Sequence, residues 1–201
     1  MDIGVVIPTH RARIANGMTQ RAIGSVWAQT LPAAELHVPV DPGGGGAWTT
    51  RDRGLQAVRA EWTAFLDSDD EFMPHHLETL ARCAQETGAD YVYSYYQVRN
   101  GFGHEIAADP LGHFGRVFDP ADPIQTTITT LVRTELAQEA GFHAPPADAR
   151  VGGQRYGEDY QFTLACVALG AQVVHVPQRT WWWNHHGRNT SGVPGQGDSA
   201  A

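Results

Sequence analysis

The chain has 201 residues, a length that suits one buried core and is short for two domains. Its formal net charge is −8, from 22 acidic and 14 basic residues, which disfavours sequence-independent binding to nucleic acid. All 14 basic residues are arginine, and the lack of lysine excludes Schiff-base, catalytic-lysine and P-loop-lysine mechanisms. Any clamp on a phosphate group must therefore use arginine, backbone amides or a metal ion.

The predicted elements alternate between strand and helix. Strands are predicted at residues 3–8, 36–40, 62–66, 91–98, 128–132 and 172–176, and helices at 17–30, 49–59, 75–87, 134–140 and 160–169. Pro74 is expected at the N1 position of the third helix. Loops are predicted at 100–123 and 143–157, and a disordered tail at 191–201. This alternation predicts a single α/β domain with a mostly parallel central sheet flanked by helices.

Cysteine usage and hydropathy bear on the cellular compartment. Cys83 and Cys166 lie far apart in apolar, helix-like stretches, which is typical of packed thiols rather than a disulfide or a metal pair. No apolar run approaches the roughly 20 residues that span a bilayer, and the chain enters a strand at residue 3 without a secretory signal. We expect a cytoplasmic protein with no integral membrane segment; the sequence leaves its oligomeric state open.

Polar side chains follow three predicted strands at the point where each strand ends. Thr9, His10 and Arg11 follow the first strand, Asp41 the second, and residues 67–70 the third. Ligands of such sheets collect at the carboxyl ends of the strands. The sequence therefore predicts a ligand site at this edge.

The acidic run after the third strand, Asp-Ser-Asp-Asp, is the strongest local motif. Its alternation places Asp67 and Asp69 on one side of a turn, where hard oxygen ligands suit Mg²⁺ or Mn²⁺ bridging two phosphates. Helix capping before Pro74 is the alternative role, although a cap needs only one of the three carboxylates.

Two further groups lie in the second half of the chain. Glu158 and Asp159 begin a predicted helix, either as favourable charges at its N-terminus or as a general base beside a metal site. The three consecutive tryptophans at 181–183 cannot all face one core, so at least one indole is expected near a pocket where a sugar or base can stack. His185 or His186 is a candidate metal or diphosphate ligand, with a plain surface position as the alternative.

Taken in order, these motifs resemble the family 2 glycosyltransferases, which have the GT-A fold. The resemblance extends from about residue 2 to residue 190. It is carried by residues 5–9 (Val-Val-Ile-Pro-Thr), 22–30 (Ala-Ile-Gly-Ser-Val-Trp-Ala-Gln-Thr), 38–41 (Val-Pro-Val-Asp), 51–54 (Arg-Asp-Arg-Gly), 67–70 (Asp-Ser-Asp-Asp), 141–142 (Gly-Phe) and 158–159 (Glu-Asp). The chain departs from the family pattern at Pro42 and Gly43, which replace an acidic-Gly-Ser continuation, and at Asp52, where Asn is common.

The resemblance implies a GT-A domain over residues 1–190, with a nucleotide-sugar-binding half at 1–98 and an acceptor-side half at 99–190. It implies transfer of a sugar, with inversion, from a nucleotide-diphosphate sugar to an acceptor hydroxyl, with UDP favoured and Mn²⁺ or Mg²⁺ required. The acceptor is left open between a saccharide, a lipid-linked saccharide, a protein and a modified nucleic-acid base.

The same resemblance implies roles for individual residues. The donor would contact Pro8, Thr9, His10, Arg11, Asp41, Arg51, Asp67 and Ser68. Asp69 and Asp67 would ligate the metal, with His186 as a further ligand. Asp159 would act as the general base, and Glu158 would support it on the acceptor side.

Three other functions stay open on the sequence. A non-catalytic nucleotide-sugar-binding module would be expected to have lost acidic residues such as Asp69 and Asp159, which are present. A nucleotidyltransferase would be expected to have a Gly-rich loop with a basic residue directly after the first strand, where this chain has Pro-Thr-His-Arg. A nucleotide-sugar hydrolase would use much the same residues as a transferase.

Overall fold

The computed structural model describes residues 1–41, 43, 45–101, 103–108, 118–121, 128–151 and 154–186. The predicted tail at 191–201 and parts of both predicted loops lie outside these residues. The helices of the described part are α1 Arg11–Ala15, α2 Met18–Trp27, α3 Gly46–Leu55, α4 His76–Thr87, α5 Thr134–Ala140 and α6 Glu158–Ala168. The strands are β1 Ile3–Val6, β2 Thr9–His10, β3 Glu35–His37, β4 Val40–Asp41, β5 Trp62–Phe65, β6 Glu71–Phe72, β7 Tyr91–Asn100, β8 Glu105–Ala108, β9 Thr130–Arg133, β10 Arg150–Val151, β11 Gln154–Arg155 and β12 Val173–His185.

The central sheet has the strand order β3-β1-β5-β9-β7-β12-β6, and β8 pairs with β7. The pairs β1–β3, β1–β5 and β7–β12 are parallel. Strand β9 lies antiparallel between β5 and β7, so these two strands still run in the same direction. The predicted α/β fold with a flanked central sheet is confirmed, but the sheet is mixed. Apolar patterning locates a strand without giving its direction, so the antiparallel placement of β9 could not be read from the sequence.

The middle of the sheet is buried on both faces. Every residue of β1 and β5 is buried, which explains why both strands read as continuous apolar runs rather than alternating ones. Phe65, Phe142 and Phe162 pack together beside β5, with Phe142 stacked on Phe162 at 4.2 Å between ring centroids. This core holds the carboxyl end of β5 in place against α6.

Two element predictions are corrected. Strand β12 continues to His185, well beyond the predicted end at residue 176, because it pairs along most of its length with β7. Register shifts between Val176 and Trp181 accommodate Pro177, which reads as a strand end in sequence but is tolerated at an irregularity. Helix α4 has His75 as its N-cap, so Pro74 precedes the cap and is not at N1.

The described residues include both cysteines and all the helices named above. Cys166 is buried, Cys83 is half-buried, and both are free thiols. None of the described helices combines the length and the apolar character that crossing a membrane requires.

Candidate active site

A cleft of about 460 Å³ opens where β1, β4 and β5 end. It is lined by Pro8, Thr9, His10, Arg13, Asp41, Gly46, Ala47, Thr50, Arg51, Asp67 and Glu158. Six of the eight residues predicted to contact a donor therefore meet in one place. Of the other two, Arg11 is exposed on α1, and Ser68 is fully buried next to Asp67. The polar strand ends converge because β1 and β5 are adjacent and parallel.

Arg51 joins the two acidic stretches of the sequence. Its Nη2 donates to Asp67 Oδ1 and its Nη1 to Glu158 Oε1, both at 2.6 Å. Only 5% of Arg51 is exposed. Burial opposes its charge, but the two carboxylates outweigh burial and raise the pKa of Arg51 above its ordinary value. The guanidinium therefore stays charged and links α3, the end of β5 and the first turn of α6.

Three carboxylates crowd together at the end of β5. Ligand oxygens of Asp67, Asp69 and Asp70 all lie within 4.8 Å of one another. Burial and the neighbouring Asp67 raise the pKa of Asp69, and burial together with Asp69 raises the pKa of Asp70 well above its usual range. Burial also disfavours the charged form of Asp67, but the Arg51 guanidinium prevails and lowers its pKa.

Asp69 has two basic neighbours at one oxygen. Arg13 Nη2 lies 2.7 Å and His186 Nε2 lies 3.1 Å from Asp69 Oδ2. A second Arg13 nitrogen, Nη1, donates to Ser68 Oγ at 3.2 Å. His186 is thus the histidine of the pair that hydrogen-bonds the acidic turn, as the sequence analysis allowed. Arg13 was missed, because two arginines two residues apart after a strand give no local sign of which one points into the cleft.

Strand β12 holds the acidic turn from the other side. The Asn184 backbone N–H donates to Asp70 Oδ1, and its side-chain Nδ2 donates to the Asp69 carbonyl, both at 2.8 Å. Arg99 donates to Asn184 Oδ1 and lies 4.4 Å above the Trp182 ring. Asn184 was also missed, since nothing in the Trp-Asn-His segment points to a partner more than a hundred residues away.

The tryptophan run divides between the two faces of β12. Trp181 is buried, and its ring and that of Trp183 both pack around Tyr96, at 5.2 and 5.4 Å. Trp182 points to the opposite face, with Arg99 over its ring, and is half-buried. The run therefore packs mainly against β7, and Trp182 shares its face with Asn184.

Helix α6 begins with the two carboxylates that the sequence singled out. Asp159 Oδ1 accepts a hydrogen bond from the Tyr160 backbone N–H at 2.8 Å. Burial raises the pKa of Asp159, with Arg51 acting against it and Glu158 adding to it. Glu158 lines the cleft and pairs with Arg51. The first turn of α6 therefore combines an ion-paired carboxylate, Glu158, with a carboxylate whose pKa is raised by burial, Asp159.

Hydrogen bonds involve two of the positions where the chain departs from the family pattern, Asp52 and Gly43. Asp52 Oδ1 accepts from the Phe142 backbone N–H at 3.1 Å, so this carboxylate ties α3 to the Gly141–Phe142 turn. Asp41 Oδ1 accepts from Gly43 N at 2.9 Å and Gly45 N at 3.4 Å. The backbone N–H groups of Gly43 and Gly45 therefore point to Asp41 at the rim of the cleft.

The donor set at the acidic turn fits a divalent cation. Carboxylate oxygens are the ligands that Mg²⁺ and Mn²⁺ prefer, and Asp67, Asp69 and Asp70 supply them at close range. A bound cation would relieve the mutual repulsion that raises the pKa values of Asp69 and Asp70. His186 adds a nitrogen beside the same turn.

Known proteins resemble this chain in sequence and in fold. The GT-A-like α/β fold carries an acidic triad after the central strand β5. Residues 40–134 match the sequence profile of the family described as Glycosyl transferase family 2. No curated protein matches the chain significantly by sequence.

Structures of TarS from S. aureus resemble this fold over most of the chain. TarS 1-349 in complex with UDP-GlcNAc superposes with a TM-score of 0.71, covering 96% of this chain and 62% of TarS 1-349 at 17% identity. The complex with UDP gives 0.69 over 92% of this chain and 60% of the TarS fragment, again at 17% identity. At this identity the likeness shows the fold alone, and the chain spans only about 60% of the length of these TarS fragments.

Proposed function

We propose that the protein transfers a sugar, with inversion, from a nucleotide-diphosphate sugar to an acceptor hydroxyl, with the help of a divalent ion. The observation that carries this proposal is the pairing of Arg51 with both Asp67 and Glu158 at 2.6 Å. It joins the acidic turn, suited to a metal-bound diphosphate, to the helix that carries the half-buried carboxylate of Asp159. Asp67 and Glu158 thereby border one cleft.

For the donor we propose a UDP-sugar. The TarS structures that share this fold were solved with UDP and with UDP-GlcNAc. In this chain, Thr9, His10 and Asp41 border the cleft on the paired strands β2 and β4. Arg51 and Asp67, which form an ion pair, border the same cleft. The base and ribose would lie between the β1 end and the Asp41 loop, with the diphosphate toward Asp67.

For the metal we propose Asp69 and Asp67 as carboxylate ligands, with His186 beside them. The ion, Mn²⁺ or Mg²⁺, would neutralise negative charge on the departing diphosphate and orient it. Asn184 holds the peptide and carboxylate of the turn in position through its two hydrogen bonds. The chain thus presents preformed oxygen ligands rather than a loop that must fold around the ion.

For the chemical step we propose Asp159 as the general base. Its carboxylate would take the proton from the acceptor hydroxyl while that oxygen attacks the anomeric carbon opposite to the departing diphosphate. A raised pKa makes this carboxylate a stronger proton acceptor than an ordinary aspartate. The pairing of Glu158 with Arg51 keeps the neighbouring carboxylate out of that role.

A thermal-shift panel of nucleotide-diphosphate sugars, with and without Mn²⁺, tests the donor and metal together. A ligand that binds only the folded state stabilises it by mass action, by about 2.7 kcal/mol at a hundredfold excess over Kd, and so raises the melting temperature. We expect a shift with a UDP-sugar only when Mn²⁺ is present. No shift with any donor would contradict the proposal.

Product analysis then separates transfer from hydrolysis. With donor, Mn²⁺ and a panel of hydroxylated acceptors, we expect a glycosylated acceptor and free nucleoside diphosphate. Release of free sugar at the same rate whether or not an acceptor is present would instead favour a hydrolase.

A further inference from the structure

We propose that Arg13 couples metal binding to donor binding, by holding Asp69 in the absence of a divalent ion and moving to the donor diphosphate when the ion takes Asp69. This inference rests on the proposed function. It assigns a positioning role to a residue that neither the sequence motifs nor the family resemblance singled out.

Arg13 and a divalent ion would compete for one atom, Asp69 Oδ2. Arg13 Nη2 lies 2.7 Å from Asp69 Oδ2, and His186 Nε2 lies 3.1 Å from the same oxygen. A divalent ion ligated by this oxygen would sit at about 2.0–2.6 Å from it. Because a guanidinium and a metal ion repel each other, they cannot both bind this oxygen closely. Binding of the ion therefore displaces Arg13.

Arg13 is free to move because its side chain and its helix are weakly packed. Its side chain is 27% exposed, and α1, the five-residue helix that carries it, has no buried residue. The other arginine of the cleft differs, because the Arg51 side chain is 7% exposed and has both Nη atoms on carboxylates at 2.6 Å. Weakly packed elements rearrange at low cost. Of these two arginines, Arg13 is the one that can change partners.

The cleft offers the released Arg13 guanidinium a new partner, the donor diphosphate. Arg13 lines the same cleft as Thr9, Asp41 and Asp67, on the side of the β1 end. Once released from Asp69, its planar guanidinium faces the space where the diphosphate would lie, and arginine binds phosphate oxygens in a bidentate manner. With no lysine in the chain, arginine supplies the side-chain cations for this task. The metal would thereby create a donor contact in addition to its own.

Two titrations by calorimetry test this coupling: Mn²⁺ alone, and UDP at saturating Mn²⁺. Arg13→Met removes the guanidinium and keeps a side chain of similar length. We expect this variant to bind Mn²⁺ alone more tightly, by about threefold to tenfold, because the guanidinium no longer competes for Asp69 Oδ2. We expect it to bind UDP at saturating Mn²⁺ about tenfold more weakly, as for the loss of one charge-assisted hydrogen bond.

The opposite signs of the two changes are the specific signature. A merely structural role for Arg13 would weaken both affinities, and that result, or no change in either, would overturn the inference. Arg13→Lys keeps the charge without the bidentate geometry, so its two affinities should fall between those of the wild type and Arg13→Met. Arg82→Met, an exposed position on α4, removes the same charge away from the cleft and should leave both affinities unchanged.

The outcomes separate this inference from the proposed function. Wild-type protein that binds neither Mn²⁺ nor UDP would contradict both. Wild-type protein that binds both, together with an Arg13→Met variant that weakens both affinities, would leave the transferase proposal intact and remove only the role of Arg13.

Discussion

The acidic turn after β5 and the first turn of α6 both present a carboxylate to one cleft. The two regions differ in how many of their carboxylates pair with arginine. In the acidic turn, Arg51 pairs with Asp67 and Arg13 with Asp69, each within 2.7 Å. In α6, Arg51 pairs with Glu158, whereas the hydrogen bond to the Asp159 side chain within the described residues comes from the Tyr160 backbone. In the acidic turn two arginines pair with carboxylates, whereas in the described part of the chain the half-buried carboxylate of Asp159 lies outside a direct ion pair.

This difference supports the separate roles proposed for the two regions, which are binding of the ion and diphosphate and transfer of a proton. Paired, crowded carboxylates suit a site that binds positive charge and, through it, a diphosphate. A half-buried carboxylate with a raised pKa, such as Asp159, suits the transfer of a proton. Changes in the two regions should therefore affect binding and turnover separately.

The largest expected effect is on turnover, from Asp159→Asn. We expect kcat to fall by about 10²- to 10⁴-fold, because the amide cannot accept the acceptor's proton. The Kd of UDP with Mn²⁺, measured by calorimetry, should stay close to the wild-type value. Glu139→Gln, an exposed change on α5, is the control and should alter neither quantity. Near-normal kcat in Asp159→Asn would remove the distinction between the two regions.

The next effect is on the link between the regions, from Arg51→Met. This change leaves Asp67 and Glu158 without their shared counter-charge in a largely buried site, and breaking such a pair costs about 3–5 kcal/mol. Because both carboxylates are partly exposed, we expect the free energy of unfolding in urea to fall by about 3 kcal/mol, the lower end of that range. Arg82→Met should change it by less than about 0.5 kcal/mol. An equally small change in Arg51→Met would mean that the two turns are held together by the phenylalanine core alone.

The smallest effect is a gain in stability, from Asp70→Asn. The raised pKa of Asp70 means that its charged form destabilises the fold at neutral pH. The asparagine Oδ1 can still accept the Asn184 N–H. With EDTA at pH 7 we expect a melting temperature higher by about 2–4 °C, which corresponds to roughly 1 kcal/mol for a chain of this size.

The pH dependence checks the sign of that effect. Asp70 takes up its proton in the folded protein at a higher pH than in the unfolded chain, so its penalty grows as pH rises through the range between the two pKa values. The stability advantage of Asp70→Asn should therefore be largest at neutral pH and disappear at acid pH. An advantage that grew on acidification would contradict the assignment.

The sequence predicted which polar residues lie together at one edge of the sheet, because that prediction needs only local information. A buried strand that ends in Asp67-Ser68-Asp69-Asp70, or in Pro8-Thr9, places polar groups at a carboxyl end whatever the neighbours are. Six predicted donor residues accordingly line one cleft. The division into halves at 1–98 and 99–190, the roles of the individual residues and the cytoplasmic location stay predictions.

The sequence by itself determined which chemistry was available: crowded carboxylates at a strand end, a second acidic pair at a helix start, and arginine as the sole basic side chain apart from histidine. Only the tertiary structure decided which groups meet. Arg13 reaches Ser68 across 55 positions, Arg51 reaches Glu158 across 107, and Asn184 reaches Asp69 across 115. Local periodicity describes the direction of a side chain relative to its own element, whereas these contacts depend on the order of strands in the sheet, which no short segment encodes.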